Sequence, residues 1–215
     1  MFSADLRAAT WSEHQNAEST AYLDALMRGQ LTLGQYGDMV AQHYFAYLVL
    51  EEAARAMRTD PVGAAFAIPE LDRVPALEAD LTYLYGATWA ERIAPNPATV
   101  RYCARLREVC FDWPGGFVAH HYTRYLGDLS GGQFIRRSVA RIYGLTDNGV
   151  AFYDFPELGD LQEFKTRYRE ALDTAPWSGE ERGRIVAETL VAYQLNTEVL
   201  ADLGAAVGPV ADRAA

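Results

Sequence analysis

The sequence predicts an all-α fold in a single domain, and three observations carry that expectation. Apolar residues recur at intervals of three and four along nearly the whole chain, and no stretch alternates apolar and polar residues as a half-buried strand would. Helix-start signals punctuate it: capping-box patterns at Thr32-Leu33-Gly34-Gln35 and Ser178-Gly179-Glu180-Glu181, and first-turn prolines at Pro75 and Pro97. No repeat, block of like charge or Pro/Gly-rich linker divides the 215 residues, which are enough to bury one core.

The elements follow in order. A first helix begins just after Ser3, with Leu6, Thr10, His14, Ala17 and Ala21 on one face. The box at Thr32 opens a long helix that stops before Asp60-Pro61. Pro75 starts a third, closed near Gly86, and Pro97 a fourth, which ends ahead of Trp113-Pro114-Gly115-Gly116. A glycine-bearing helix covers about 117–143, and a basic helix over 161–172 follows a loop containing Phe155-Pro156. The box at Ser178 starts the last long helix. The core therefore spans about residues 3–204, with a short tail behind it.

Charge and composition exclude several classes. A net charge of -10 argues against a nucleic-acid binder, although it leaves room for a local basic patch. The N-terminus lacks the basic, apolar and cleavage-site regions of a signal peptide, and no apolar run approaches the roughly 20 residues needed to cross a bilayer. A cytoplasmic protein with no membrane partner is expected. Cys103 and Cys110 lie seven residues apart on one helix, about 10 Å along its axis, beyond the reach of a disulfide.

The most informative stretch runs His120-His121-Tyr122-Thr123-Arg124-Tyr125-Leu126-Gly127-Asp128-Leu129-Ser130-Gly131-Gly132-Gln133. Each glycine inside a helix costs about 1 kcal/mol relative to alanine, and here three fall within six residues. On a helical wheel Val118, Tyr122, Tyr125, Leu126 and Leu129 form the core stripe. His120, Arg124, Gly127, Asp128 and Gly131 fall roughly opposite. Bare backbone beside an acid suits a flat ligand approaching closely; a kinked structural helix with a small-residue contact fits the same wheel.

The segment Tyr122 to Gln133 resembles the distal-helix signature of the heme oxygenases. Glu13-His14-Gln15-Asn16-Ala17-Glu18 resembles the segment carrying that family's iron-ligating histidine, and Phe164-Lys165-Thr166-Arg167-Tyr168-Arg169 its propionate-binding basic helix. Order and spacing agree from about Ser3 to Gly204. The resemblance implies heme b sandwiched between an N-terminal proximal helix and a kinked, Gly-rich distal helix.

It also implies roles. His14 becomes the axial ligand, with Glu18 one turn later to orient its imidazole. His43, among Tyr44, Phe45 and Tyr47, reads as a satisfied core histidine, and His120 and His121 sit on the helix assigned to the other heme face. Arg7 (where the family often has Lys), Lys165 and Arg169 become propionate partners, with Tyr122 a possible donor. Gly127, Gly131 and Gly132 let the backbone approach the macrocycle. Asp128 would hold a water chain that delivers protons, supported by Arg124, Tyr47 and Asn196. Tyr193 stands where family members often carry Phe near the heme.

The implied reaction is O2- and reductant-dependent cleavage of heme at a meso carbon, alpha being expected, to biliverdin, carbon monoxide and ferrous iron. Electrons would come from a ferredoxin or a flavoprotein reductase. Two other classes remain: a heme-binding protein without turnover, and a di-iron carboxylate oxidase. The latter needs Glu-x-x-His ligands, and the sequence holds no such motif.

Overall fold

Helices start where an acceptor meets their first unpaired N–H groups; here that acceptor comes from the adjoining sequence at Thr32, Asn96, Asp160 and Ser178, and from across the fold at Asp173 and Glu51. A computed structural model describes residues 1–208, apart from the side chain of Glu18. Helix α1 (Phe2–Glu18) is tied at its start by Asp173, whose carboxylate accepts from the Ser3 N–H at 2.7 Å and the Ser3 hydroxyl at 2.9 Å. The expected run through Ala21 is cut short. The Ser19 hydroxyl donates to the Asn16 carbonyl at 3.2 Å, Thr20 is extended, and α2 (Ala21–Met27) begins anew with Ala21 exposed. Hydroxyl side chains that bond nearby carbonyls compete with the helical ladder, so the apolar stripe does not continue across this junction.

Helix α3 (Leu33–Met57) opens with the whole expected box: Thr32 Oγ1 accepts from Gln35 N at 3.2 Å, and Gln35 Oε1 accepts from Thr32 N at 2.8 Å. Helix α4 (Val74–Tyr85) carries Pro75 in its first turn, but its cap is tertiary. Buried Glu51 of α3 accepts from Arg73 N at 2.5 Å and Val74 N at 2.8 Å. Asn96 caps α5 (Pro97–Val109), accepting from Thr99 N at 2.7 Å.

The single helix expected over 117–143 is two. Helix α6 (Pro114–His121) passes into a π-helical turn (Tyr122–Leu126), and α7 (Gly131–Tyr143) starts after an irregular step at Ser130. Asp160 caps α8 (Leu161–Thr174) through Gln162 N and Glu163 N. Ser178 caps α9 (Gly179–Val207), accepting from Glu181 N at 3.1 Å. The reciprocal half of this second box does not form, because the Glu181 carboxylate accepts instead from Trp113 Nε1 and from Arg184 at 2.9 Å.

One apolar core draws on every one of these helices. Helix α3 packs on α4, α5 and α6, and α9 on α1, α5 and α6. Cys103 and Cys110 are both buried free thiols. Helix α9 outruns the expected end near 204, and residues 209–215 of the expected tail lie outside the described residues. Among the described residues no helix is long and apolar enough to cross a membrane.

Candidate heme site

Local chemistry explains why the chain bends where the glycines are. Thr123 Oγ1 donates to the Ala119 carbonyl at 2.9 Å, competing with the helical bond of the next turn, and the π-helical turn begins beside it. At Ser130 the backbone leaves the helix altogether, at φ -122° and ψ -88°. The carbonyls freed by this break find side-chain donors. Gln133 Nε2 donates to Asp128 O at 3.1 Å and to Tyr153 O at 2.8 Å, and Lys165 Nζ donates to Leu129 O at 3.3 Å. The break is therefore held by side-chain hydrogen bonds to Asp128 O and Leu129 O.

The broken segment walls a cavity of about 490 Å³. Thr123, Arg124, Gly127, Asp128, Gly131 and Gly132 line it from this side; α1 contributes His14 and Ala17, α3 Met39 and His43, and α9 Tyr193, Asn196 and Leu200. Leu23, Met27, Phe134 and Ile135 add apolar surface. Gly127 has helical angles, φ -62° and ψ -52°, and a Cβ built there meets nothing within 4 Å. Helix packing therefore does not require this glycine. Gly132 differs, since a Cβ there would stand 3.1 Å from the Tyr153 ring.

Behind the glycines lies a buried polar network. The Tyr47 hydroxyl, fully buried, donates to the Asp128 carboxylate. Burial pushes the Asp128 carboxyl up to about 6, against the opposing pull of the Arg124 charge and the Tyr47 hydrogen bond. Arg124 is itself buried; it donates to Asn196 Oδ1 and, at 2.9 Å, to His43 Nδ1, and its guanidinium lies 4.9 Å from the Tyr47 ring centroid. A guanidinium only donates, so His43 Nδ1 must accept and the imidazole carries its proton on Nε2. Burial first, and then the Arg124 charge, hold His43 well below the usual histidine range.

His120 and His121 are core residues. His120 Nε2 bonds Glu188 at 2.9 Å and His121 Nδ1 bonds the Tyr168 hydroxyl at 2.9 Å, both away from the cavity lining. Burial pushes His121 down to about 3.

Comparison with known proteins gives this geometry its frame. The Heme oxygenase family profile matches residues 1–202. The chain belongs to the heme oxygenase family. It is 38% identical to heme oxygenase 2 of Synechocystis over 92% of this chain and 81% of that protein. Against the heme oxygenase of Porphyra purpurea the identity is 36%, over 94% of this chain and 86% of the relative. The crystal structure of heme oxygenase-1 from Synechocystis in complex with heme superposes with a TM-score of 0.91 at 33% identity, covering 96% of this chain and 93% of that one.

Set on the heme oxygenase fold, the residues named from sequence fall into three groups. His14, Arg124, Gly127, Asp128, Gly131, Gly132, Tyr193 and Asn196 line one cavity, and Tyr47 stands directly behind it. Arg7, Tyr122, Lys165 and Arg169 do not line it. Tyr122 is buried, and the charges of Arg169 and Arg7 both act on its phenol, which burial raises. These three groups therefore share one neighbourhood, with both arginines exposed. Lys165 is buried and spends its ammonium on Leu129 O and, at 3.5 Å, on Ser130 Oγ. The Glu18 side chain lies outside the described residues.

His43 needs correction: it is no simple core histidine but part of the cavity wall, held by Arg124. Its position one turn before Tyr47 on α3 was the available signal. Tyr153 had none. It is placed by buried Asp80, which accepts from Ala151 N at 2.9 Å and Phe152 N at 2.8 Å.

Proposed function

We propose that this chain opens heme at a meso carbon, the alpha position being expected, to yield biliverdin, carbon monoxide and ferrous iron, with heme as both substrate and cofactor. The observation that carries this reading is an ionisable, tyrosine-bonded Asp128 next to Gly127, where a Cβ would meet no atom within 4 Å, in one cavity with His14. The residues fit heme. A mostly apolar cavity of about 490 Å³ lies within the range of small-molecule sites, roughly 300–1,000 Å³. Among the described residues no group of three or more His, Cys, Asp or Glu could cage an ion. An iron bound here would arrive within its macrocycle and need one protein ligand, for which His14 is our assignment.

Bound heme supplies the iron that activates dioxygen and the meso carbon that is oxidised. The protein supplies position and protons. Gly127 and Gly131 both line the cavity, and at Gly127 a side chain would enter open space where a flat ring could lie against the backbone. Asp128 is mostly ionised at neutral pH yet close enough to its midpoint to exchange protons with cavity water. Tyr47 fixes that carboxylate, while Asn196 and His43 fix Arg124. Arg7, Arg169 and Lys165, with Tyr122, are our proposed partners of the two ligand carboxylates, and Lys165 also bonds the Leu129 carbonyl at the break. Electrons from a ferredoxin or flavoprotein reductase, and O2, complete the reaction. We place it in the cytoplasm and treat the whole chain as one catalytic domain, since one core unites its helices.

An absorption time course of the hemin-loaded protein, in air with reductant and catalase, tests the proposal. Loss of the Soret band with growth of red biliverdin absorption is expected. A Soret band that persists through turnover conditions would leave a heme-binding protein, and no hemin spectrum at all would remove the reading.

A further inference from the structure

The exposed indole of Trp11 has no place in the roles assigned so far. It lies three residues before His14 on α1, and the two rings stack with centroids 5.3 Å apart and planes 6° from parallel. Side chains on a helix lean toward its N-terminus, which brings residues three and four apart into contact. The guanidinium of Arg7, a turn earlier, lies 5.3 Å from the indole centroid. Along the helix axis the indole thus stands between Arg7 and His14. From α9, Tyr193 meets the imidazole at 5.9 Å with planes 71° apart. His14 is thereby held face-on by Trp11 and edge-on by Tyr193.

Such an arrangement is informative because Trp11 remains 45% exposed. It contributes little to the core, so burial does not explain its position. What it covers is one face of a single imidazole. A ligating imidazole presents its nitrogen along its own ring plane, and a ring stacked on it fixes rotation about that direction without competing for the nitrogen. From the cavity geometry and this ladder we infer that Trp11 is a positioning residue that sets the plane of the His14 imidazole toward bound heme. The inference rests on the assignment of His14 as ligand. Arg7 serves it twice, as an edge cation and as the cation that steadies the indole.

The test compares Trp11→Ala and Trp11→Phe with the parent. The readout is the spread of heme methyl proton shifts in the cyanide-inhibited ferric complex, which follows the orientation of the axial imidazole. Hemin dissociation is measured alongside. Trp11→Ala is expected to bind hemin but to alter the methyl-shift pattern and release hemin roughly 2- to 12-fold faster, the equivalent of one aromatic pair. Trp11→Phe, which keeps a stacking ring, is expected to restore most of both. A Trp11→Ala complex with the parental shift pattern overturns the inference, as does a Trp11→Phe complex no closer to the parent than Trp11→Ala. Failure of the ligand assignment itself is distinguishable: His14→Ala would then keep the parental pattern.

Discussion

Replacing Gly127 with alanine should move stability and function in opposite directions. The backbone there is already helical, at φ -62° and ψ -52°, and the added methyl meets no protein atom within 4 Å. In the hemin-free protein the substitution therefore removes unfolded-state entropy without strain, a gain of about 0.5–1 kcal/mol. For a chain of this size that corresponds to a rise in Tm of roughly 1–4 °C. With hemin present the methyl would enter the space where we propose the macrocycle lies. Overpacking of that kind costs about 1–3 kcal/mol, or roughly a 5- to 150-fold loss of hemin affinity. Calorimetry of the hemin-free protein and a hemin titration measure the two effects. A lowered Tm would mean that the glycine serves the backbone. Unchanged hemin affinity and biliverdin yield would mean that no ligand approaches it. Gly116→Ala is the control of opposite sign. Its Cβ would stand 2.5 Å from the Val109 carbonyl oxygen and 2.5 Å from the Trp113 ring, so it should lose about 1–3 kcal/mol of stability.

Asp128→Ala should retain the hemin spectrum but lose biliverdin formation, with drift toward peroxidase-type chemistry; parental turnover would contradict the proton-delivery role. Tyr47→Phe removes a hydrogen bond that favours the charged carboxylate, so the Asp128 carboxyl should rise above about 6 even though Arg124 and Arg73 remain. The acid limb of the turnover profile, read between pH 5 and 8, should shift upward, and a downward or absent shift would break the link between Asp128 and that limb. Glu188 tests the buried charge beneath α6. Burial alone would raise its carboxyl, but hydrogen bonds from His120 and Arg105 outweigh this and hold it at about 2, against an ordinary 4.5. A depressed carboxyl contributes stability above its unfolded value and loses it as the pH falls toward the folded one. In urea unfolding, Glu188→Gln should be weaker than the parent at pH 7 and the gap should narrow by pH 3; an equal gap at both would refute the linkage.

Local chemistry was legible where a capping pattern or a first-turn proline starts a helix. Thr32 and Gln35 cap α3 because a four-residue box closes on itself, and Pro97 opens α5 because its fixed φ suits the first helical turn. The glycine-and-acid pattern at 127–132 pointed to the segment that walls the cavity, although a kinked structural helix fitted the same wheel. The α1–α2 break was not legible from periodicity, since the turn at Ser19 interrupts a stripe that otherwise continues. Nor was the split of the distal segment, which needs Gln133 and Lys165 to receive the freed carbonyls.

By itself the sequence determined the helical class, most helix starts, and the residue types that carry the chemistry, because propensity, capping and periodicity act over one or two turns. Only the tertiary structure decided which of those residues share a cavity. Glu51 capping α4, Asp173 tying α1, Asp80 placing Tyr153 and Arg124 claiming His43 all join residues 22 to 170 positions apart. Contacts at such separations follow from how whole helices pack, and no local pattern encodes them.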